Sequence, residues 1–561
     1  MTQPNPSTAQ ARVMVDELHR QGVDFAVISP GSRSSALAIA FDQHPGIDTS
    51  VVLDERSAGF QALGRARATG LPAVAVCTSG TAVANLLPAV VEADLSLVPL
   101  LVVSADRPPE LLHVGANQTI DQGGMFGARA RWSCDIAAAE PGQDANGYWR
   151  TTVAQAVARA LGHGSRPGPV HLNVAFREPT VPVGDDGRSS APPYGHGVEG
   201  RPSGEPWQRH LRTRSLAAVL PFADGRRGLV VAGEGDFEPA ALERVATRLH
   251  WPLLGTAASG LRRRNVVTSY HHLLVAGVPD RLRPELVVSI GRIGPSDRLG
   301  ALTALEVPQV CIDPWGAWND PRRHATHLIQ ADPVPSLAAL TPAVDTDLTN
   351  AWTVADAAMR SALDERIMAE PIPSGPGVAR SLGEVSVDHL VVASSMPIRD
   401  VDAHTAHTGR VIANRGASGI DGFISTALGV ASSPGRTLAL AGDLSFLHDA
   451  GGLISDPPRD FVLVVVDNGG GGLFDLLPQA QHAPHYERLF VTPHGLDLPR
   501  LAEGYGLTAT SADLASLAPT VNGLIDDGGR HAVVVPVDRE AELKLRRALD
   551  EVARDVCADL S

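Results

Sequence analysis

The chain has 561 residues, 44% hydrophobic and 19% charged, which excludes a mainly disordered chain, a collagen-like repeat and a small disulfide scaffold, and at roughly 100–200 residues per domain predicts about three domains. A formal net charge of −15 argues against a dedicated nucleic-acid binder or a polybasic membrane-surface protein, either of which carries a basic face. The four cysteines lie far apart with no CxxC pair, so reduced thiols in a cytoplasmic protein are expected.

The N-terminal stretch lacks the charged start and apolar core of a signal peptide. From about residue 24, β-branched runs alternate with amphipathic stretches: DFAVIS (24–29), TSVVLD (49–54), AVAVCT (73–78), PLLVVS (99–104) and PVHLNV (169–174), with predicted helices over 57–70 and 81–95. The region 86–103 looks apolar, but Glu92 and Asp94 interrupt it, and it falls short of the ~20 apolar residues of a membrane helix. Continuous apolar strands alternating with helices predict a parallel sheet covered on both faces. A Pro/Gly/Ser-rich linker over 181–206 leads to a second α/β pattern with runs at 228–235, 252–257, 286–291 and 307–313. A helix over 351–369 and a second linker, PIPSGPG (371–377), precede a third pattern. Its runs are HLVVAS (389–394), RVIANR (410–415), TLALAG (437–442), FVLVVVD (461–467) and HAVVVPV (531–537), closed by an amphipathic helix over 539–556. The fold class is therefore α/β, with three domains of mainly parallel sheet over residues 1–182, 207–345 and 372–561.

Ligands of open parallel sheets bind beyond the carboxyl ends of the strands. In the first and third patterns those ends run into small, polar, Gly-rich tails: SPGSRSS, DERS, TSGT and SADRP, then SSMPIRD, NRGASGIDG, GDLS and DNGGGG. The central pattern is less consistent, so the outer two are expected to hold the chemistry. Asp443 in GDLS and Asn468 in DNGGGG end successive strands, and a carboxylate and an amide oxygen there can bind one hard cation such as Mg²⁺ together with phosphate oxygens. The glycines of 469–472 allow close backbone approach and can offer a carbonyl, that of Gly470, to the metal. Either turn alone reads as an ordinary βα connection.

The pair resembles the signature of the thiamine diphosphate enzymes, a Gly-Asp-Gly followed by Asn-Asn, with Leu444 in place of the last Gly and Asp467 in place of the first Asn. The resemblance implies a thiamine diphosphate-binding fold, with pyrimidine and diphosphate domains flanking a central one. It implies metal ligands Asp443, Asn468 and Gly470, with Mg²⁺ expected and Mn²⁺ possible in its place, and further cofactor contacts from Gly442, Leu444, Ser445 and Ser395. It also implies a glutamate, matched by Glu55 in VVLDERSAGF, whose carboxyl group bonds N1′ of the aminopyrimidine and drives proton transfer from the thiazolium. SPGSRSS, DERSAGF, TSGTAVANL, SADRPPEL, GANQTIDQ, NRGASGIDG, GDLSFLHD and DNGGGGLFDLLP together resemble one branch, the 2-succinyl-5-enolpyruvyl-6-hydroxy-3-cyclohexene-1-carboxylate (SEPHCHC) synthases of menaquinone biosynthesis.

Members of that branch decarboxylate 2-oxoglutarate on thiamine diphosphate and add the resulting succinyl-semialdehyde carbanion to isochorismate. The resemblance implies that Ser32, Arg33, Arg107, Asn117 and Gln118 hold isochorismate, and that Ser395, Arg399 and Arg415 hold 2-oxoglutarate; bidentate arginine suits such carboxylates. Ile420 would wedge the cofactor into a bent conformation, and Leu473, Phe474 and Leu477 would form an apolar wall or simply pack the start of a helix. Arg292 and Arg298 fall where the family places a basic pair, but Asp297 beside Arg298 departs from it. Because 46 of the 47 basic residues are arginines, a lone arginine carries little information. A homodimer or dimer of dimers with shared sites is implied. The alternatives are another thiamine diphosphate-dependent 2-oxo acid decarboxylase or carboligase, resembling acetohydroxyacid synthase, and outside that class a dinucleotide enzyme or a non-catalytic sensor. GEGD (233–236) lacks the third glycine of a dinucleotide fingerprint, and His404/His407 and His482/His485 gather no further metal ligands.

Overall fold

A computed structural model describes residues 5–140, 145–182, 199–211, 217–261, 265–369, 372–406, 409–481 and 484–560. Most of the expected first linker (183–198), together with His407 and His482, lies outside the described residues. The chain divides into two compact units: Met1–Arg212 with Asn414–Gly435 and Ser445–Asp460, and Thr213–Ala413 with Arg436–Leu444 and Phe461–Ser561.

The first unit is built on a seven-stranded sheet in the order Ser455–Asp456, Asp48–Val52, Phe25–Ile28, Ala73–Cys77, Leu100–Asp106, Val170–Ala175, Trp132–Ile136. Every pairing is parallel except that of the two-residue edge strand Ser455–Asp456 with Asp48–Val52. The inner strands are buried along their whole length, as continuous Val/Leu/Ala runs require when helices cover both faces. The helices Pro6–Arg20, Ser35–Asp42 and Asn146–Ala160 pack one face, and Glu55–Thr69 and Leu87–Ser96 the other. The helix predicted over 81–95 is two helices, Thr81–Asn85 and Leu87–Ser96, with Pro88 in the first turn of the second, where its missing N–H does no harm. Glu92 and Asp94, the charges that interrupt the apolar stretch, are both buried.

Two helices of this unit, Glu55–Thr69 and Phe423–Ala431, meet backbone to backbone. A Cβ added at Gly64 would lie 2.1 Å from the Thr426 carbonyl oxygen, and one added at Gly429 would lie 2.0 Å from that of Gln61. Only glycine admits such an approach.

The second unit holds two wholly parallel sheets. One has five strands in the order His327–Ile329, Gln309–Ile312, Leu286–Ile290, Gly228–Ala232, Leu253–Gly255. The other has six, in the order Arg410–Ile412, His389–Val392, Thr437–Gly442, Phe461–Asp467, Arg530–Pro536, Thr508–Ser511. The helices Asp347–Met368 and Arg539–Ala558 share a core with the five-stranded sheet. Part of the expected second linker is helical: Ser374 caps the helix Gly375–Leu382 by accepting from Gly377 N. After the strand Phe461–Asp467 the glycine run leads into a 3₁₀ turn, Gly472–Leu476, and not an α-helix; consecutive glycines are poor helix formers.

Candidate active site

Glu55 opens the helix Glu55–Thr69 directly after its cap Asp54, whose carboxylate accepts from Arg56 N. The helix N-terminus favours an acidic side chain. Glu55 is half-buried, and Asn85 Nδ2 donates to its Oε2 at 3.3 Å. The next turn is held by Asp449, which accepts from Ser57 Oγ at 3.1 Å and from Ser425 N at 2.8 Å. Burial pushes the Asp449 carboxyl above its usual range.

The first unit also gathers part of the expected isochorismate set. Arg33 is buried; its Nη1 donates to the Phe176 carbonyl at 2.9 Å and its Nη2 pairs with Glu178 at 3.1 Å. Burial, and then the like charge of Arg107, hold the Arg33 guanidinium below its ordinary value, partly offset by Glu178. Arg107 donates to the Asn117 carbonyl at 2.9 Å and has no carboxylate partner among the described residues. Asn117 and Gln118 are exposed, and Gln118 holds φ +52° through a reciprocal pair with Ser79: its Nε2 donates to the Ser79 carbonyl, and Ser79 Oγ donates to its own carbonyl, both at 2.9 Å. The exposed Ser32 accepts from Ser35 Oγ and Thr180 Oγ1 through its carbonyl. A cavity of about 420 Å³ is lined by Arg107, Asp106, His113, Asp121, Asp135 and Asn173 among others, but not by Ser32, Arg33, Asn117 or Gln118. Arg415 and Ile420 belong to this unit and are half-buried, and Ser445 is buried.

In the second unit the register aligns Gly442 with Val466, so the residues that follow, Asp443 and Asp467, stand side by side at neighbouring strand ends. Asp443 is buried. Its Oδ1 accepts from Leu444 N at 2.6 Å, its Oδ2 from Gly470 N at 2.7 Å, and His494 Nε2 lies 3.3 Å from Oδ2. Burial raises its proton affinity against those hydrogen bonds, and Asp467 raises it further. Asp443, Asp467 and His494 bring three ligating atoms within 4.8 Å of one another. Asn468 Oδ1 is buried without a partner. A buried carboxylate beside a second carboxylate and an orphaned amide oxygen fits a divalent cation. Gly470 has φ +145°, and a Cβ there would lie 2.3 Å from the Val491 carbonyl oxygen; its own carbonyl accepts from Gly472 N at 3.0 Å. His494 carried no signal in the sequence: it lies beyond the glycine loop in no spacing that marks a ligand.

Ser395 caps the helix Met396–His404 at φ +73°, ψ −129°, a backbone conformation that non-glycine residues rarely take and that concentrates at functional sites. Arg399 Nη1 donates to the Ser395 carbonyl at 2.6 Å, and Arg399 has no carboxylate partner among the described residues. Leu473 and Phe474 are half-buried in the 3₁₀ turn, with Phe474 against Phe490 at 5.6 Å between ring centres, and Leu477 is exposed. Arg298 Nη2 donates to both carboxylate oxygens of Asp550, at 2.7 and 2.8 Å, and the Arg292 backbone bridges to Glu234.

Residues 9–125 match the family described as "Thiamine pyrophosphate enzyme, N-terminal TPP binding domain". With three mainly parallel α/β sheets and polar strand ends, the chain is a thiamine diphosphate-dependent enzyme. It is 44% identical to the 2-succinyl-5-enolpyruvyl-6-hydroxy-3-cyclohexene-1-carboxylate synthase of Thermobifida fusca, over 98% of this chain and 99% of that one. The synthases of Rubrobacter xylanophilus and Saccharopolyspora erythraea are 41% and 40% identical, over 97% and 90% of this chain and 98% and 91% of theirs. The chain belongs to the family of SEPHCHC synthases.

Proposed function

We propose that the protein decarboxylates 2-oxoglutarate with thiamine diphosphate and joins the succinyl remainder to isochorismate, releasing CO₂, in menaquinone biosynthesis. The observation that carries this reading is the pair Arg33 and Arg107: two guanidinium groups near enough for one to depress the other, the second with no carboxylate of its own among the described residues. Arg33 is already paired with Glu178, and a ligand carboxylate supplies the countercharge that Arg107 lacks. The acetohydroxyacid synthase-like alternative is not favoured, because the relatives that match nearly the whole chain are SEPHCHC synthases.

Thiamine diphosphate, when bound, supplies the electron sink for the carbanion left by decarboxylation. Glu55 holds a proton at N1′ of its pyrimidine, and Asn85 keeps the carboxyl group in place. Asp443, Asn468 and the Gly470 carbonyl would hold Mg²⁺, which would compensate the charge of the diphosphate, and Gly442, Leu444, Ser445, Ser395 and Ile420 would contribute further cofactor contacts. Arg33 and Arg107, with Ser32, Asn117 and Gln118, orient isochorismate. Arg399 and Arg415, with Ser395, orient 2-oxoglutarate, and Leu473, Phe474 and Leu477 wall the pocket from water. Three domains, over 1–182, 207–345 and 372–561, an assembly that is a homodimer or a dimer of dimers, and a cytoplasmic location complete the proposal; among the described residues no helix is long and apolar enough to cross a membrane.

Mass spectrometry of the product formed from isochorismate, 2-oxoglutarate, thiamine diphosphate and Mg²⁺ tests the reaction: SEPHCHC is expected, and no SEPHCHC from that mixture, with acetolactate formed from pyruvate in a parallel one, would overturn the reading. The shared site is tested by mixing inactive Glu55→Ala and Asp443→Ala subunits. Doubly tagged mixed dimers should regain activity in one of their two sites.

A further inference from the structure

The chemistry above leaves Glu92 without a task. It lies in the helix Leu87–Ser96, 2% exposed, and donors surround both of its oxygens. Oε1 accepts from Gly416 N at 2.8 Å, Ser96 Oγ at 2.6 Å and Arg67 Nη1 at 3.2 Å; Oε2 accepts from Ala417 N at 2.7 Å. Two of these donors are the consecutive backbone amides that follow Arg415. The approach is close: a Cβ added at Gly416 would lie 2.6 Å from Ser96 Oγ, 2.7 Å from the Glu92 carbonyl oxygen and 2.9 Å from its Oε1. A buried carboxylate is tolerated only when donors such as these replace its water. The contact therefore fixes the loop as firmly as it satisfies the charge.

We propose that Glu92 is the positioning residue for Arg415: by gripping the amides of Gly416 and Ala417 it sets the backbone from which the Arg415 guanidinium reaches the carboxylate of the 2-oxo acid. This rests on the proposed role of Arg415 as a 2-oxoglutarate ligand. Glu92 itself touches no substrate. Only glutamate serves here. Glutamine offers one acceptor and turns an N–H₂ group toward donors, and aspartate is a methylene too short.

The test uses the full-length holoenzyme with Glu92→Gln, Gly416→Ala and Arg415→Ala. Gly416→Ala keeps the Glu92 carboxylate and Arg67 as residues and crowds the loop against Glu92 and Ser96, so it carries the test if Glu92→Gln does not fold. Hydrogen–deuterium exchange over residues 414–418 should rise in both positioning variants. The KM for 2-oxoglutarate in decarboxylation without isochorismate should rise about 10- to 100-fold, the scale expected from misplacing a binding group. The KM for isochorismate should stay essentially unchanged. Glu92→Gln combined with Arg415→Ala should be no worse than Arg415→Ala alone. A purely structural role would lower the melting temperature and leave the KM for 2-oxoglutarate as it was. That result, alongside a raised KM in Arg415→Ala, overturns the proposal. An unchanged KM in Arg415→Ala instead overturns the role given to Arg415, and with it the positioning role of Glu92, while the exchange data still report whether the loop is held.

Discussion

The strand-end rim of the first sheet and the helical layer behind the five-stranded sheet use the same side chain to opposite ends. On the rim, Arg107 has no carboxylate partner among the described residues and presses its charge on Arg33. In the helical layer, Arg546 is gripped by Asp400 at 2.6 and 2.8 Å and by Glu542 at 2.6 Å, and Arg298 is paired by Asp550. In a chain whose basic residues are almost all arginine, the type of residue says nothing and the partner says much. An arginine whose countercharge is built in holds the fold together. One left short of a countercharge is poised for a ligand.

The sharpest way to test the division is to remove the group that neither class can replace. Glu55→Gln should keep the fold and the cofactor but lose about 10²–10⁴-fold in activity, with exchange of the cofactor C2 proton, followed by NMR, slowed in parallel. Next come the arginines expected to bind substrate. Arg33→Ala or Arg107→Ala should reduce carboligation by roughly 10- to 150-fold and spare decarboxylation, whereas Arg399→Ala should impair decarboxylation; single-turnover assays with and without isochorismate separate the two. Equal damage to both steps from all three would erase the distinction.

A subtler effect comes from the histidines beside the paired arginines. His272 is buried with neither ring nitrogen bonded, and burial, then Arg298, push its pKa down to about 3; Asp550 opposes this and Arg546 adds to it. The unfolded state binds this proton near the ordinary value of about 6.5 and the folded state does not, so His272 favours folding above that value. That stability should drain away as the pH falls from about 6.5 toward 3. Unfolding curves across this range should show the slope, and His272→Leu should flatten it. The smallest expected effect is that of Arg298→Ala, about 1 kcal/mol or less of stability with both KM values intact, because the pair is partly exposed.

Much of this was legible in the sequence. The inner strands announce themselves as apolar runs, and Asp443 and Asn468, expected at strand ends, follow directly on the strands Thr437–Gly442 and Phe461–Asp467. What escaped were the edges: Trp132–Ile136, His327–Ile329, Thr508–Ser511 and Ser455–Asp456 are exposed or alternating, so they carry no continuous apolar signal. Polar partners escaped for a different reason. Glu92 reads as a flaw in an apolar stretch because its donors at 416 and 417 lie far along the chain, and His494 meets Asp443 only through the folded loop.

The glycine seam between the helices Glu55–Thr69 and Phe423–Ala431 has a mechanical consequence. Glu55 starts one helix, and Ile420 lies just ahead of the other. At Gly64 and Gly429 the two backbones are in contact, with no room there for a side chain. A change in spacing at the seam would therefore be felt at both helix starts. A single added methyl at Gly64 or Gly429 would wedge the helices apart and shift Glu55 relative to Ile420, although neither residue had changed. Attempts to stiffen this protein by the common exchange of helical glycine for alanine would therefore detune its chemistry from a distance.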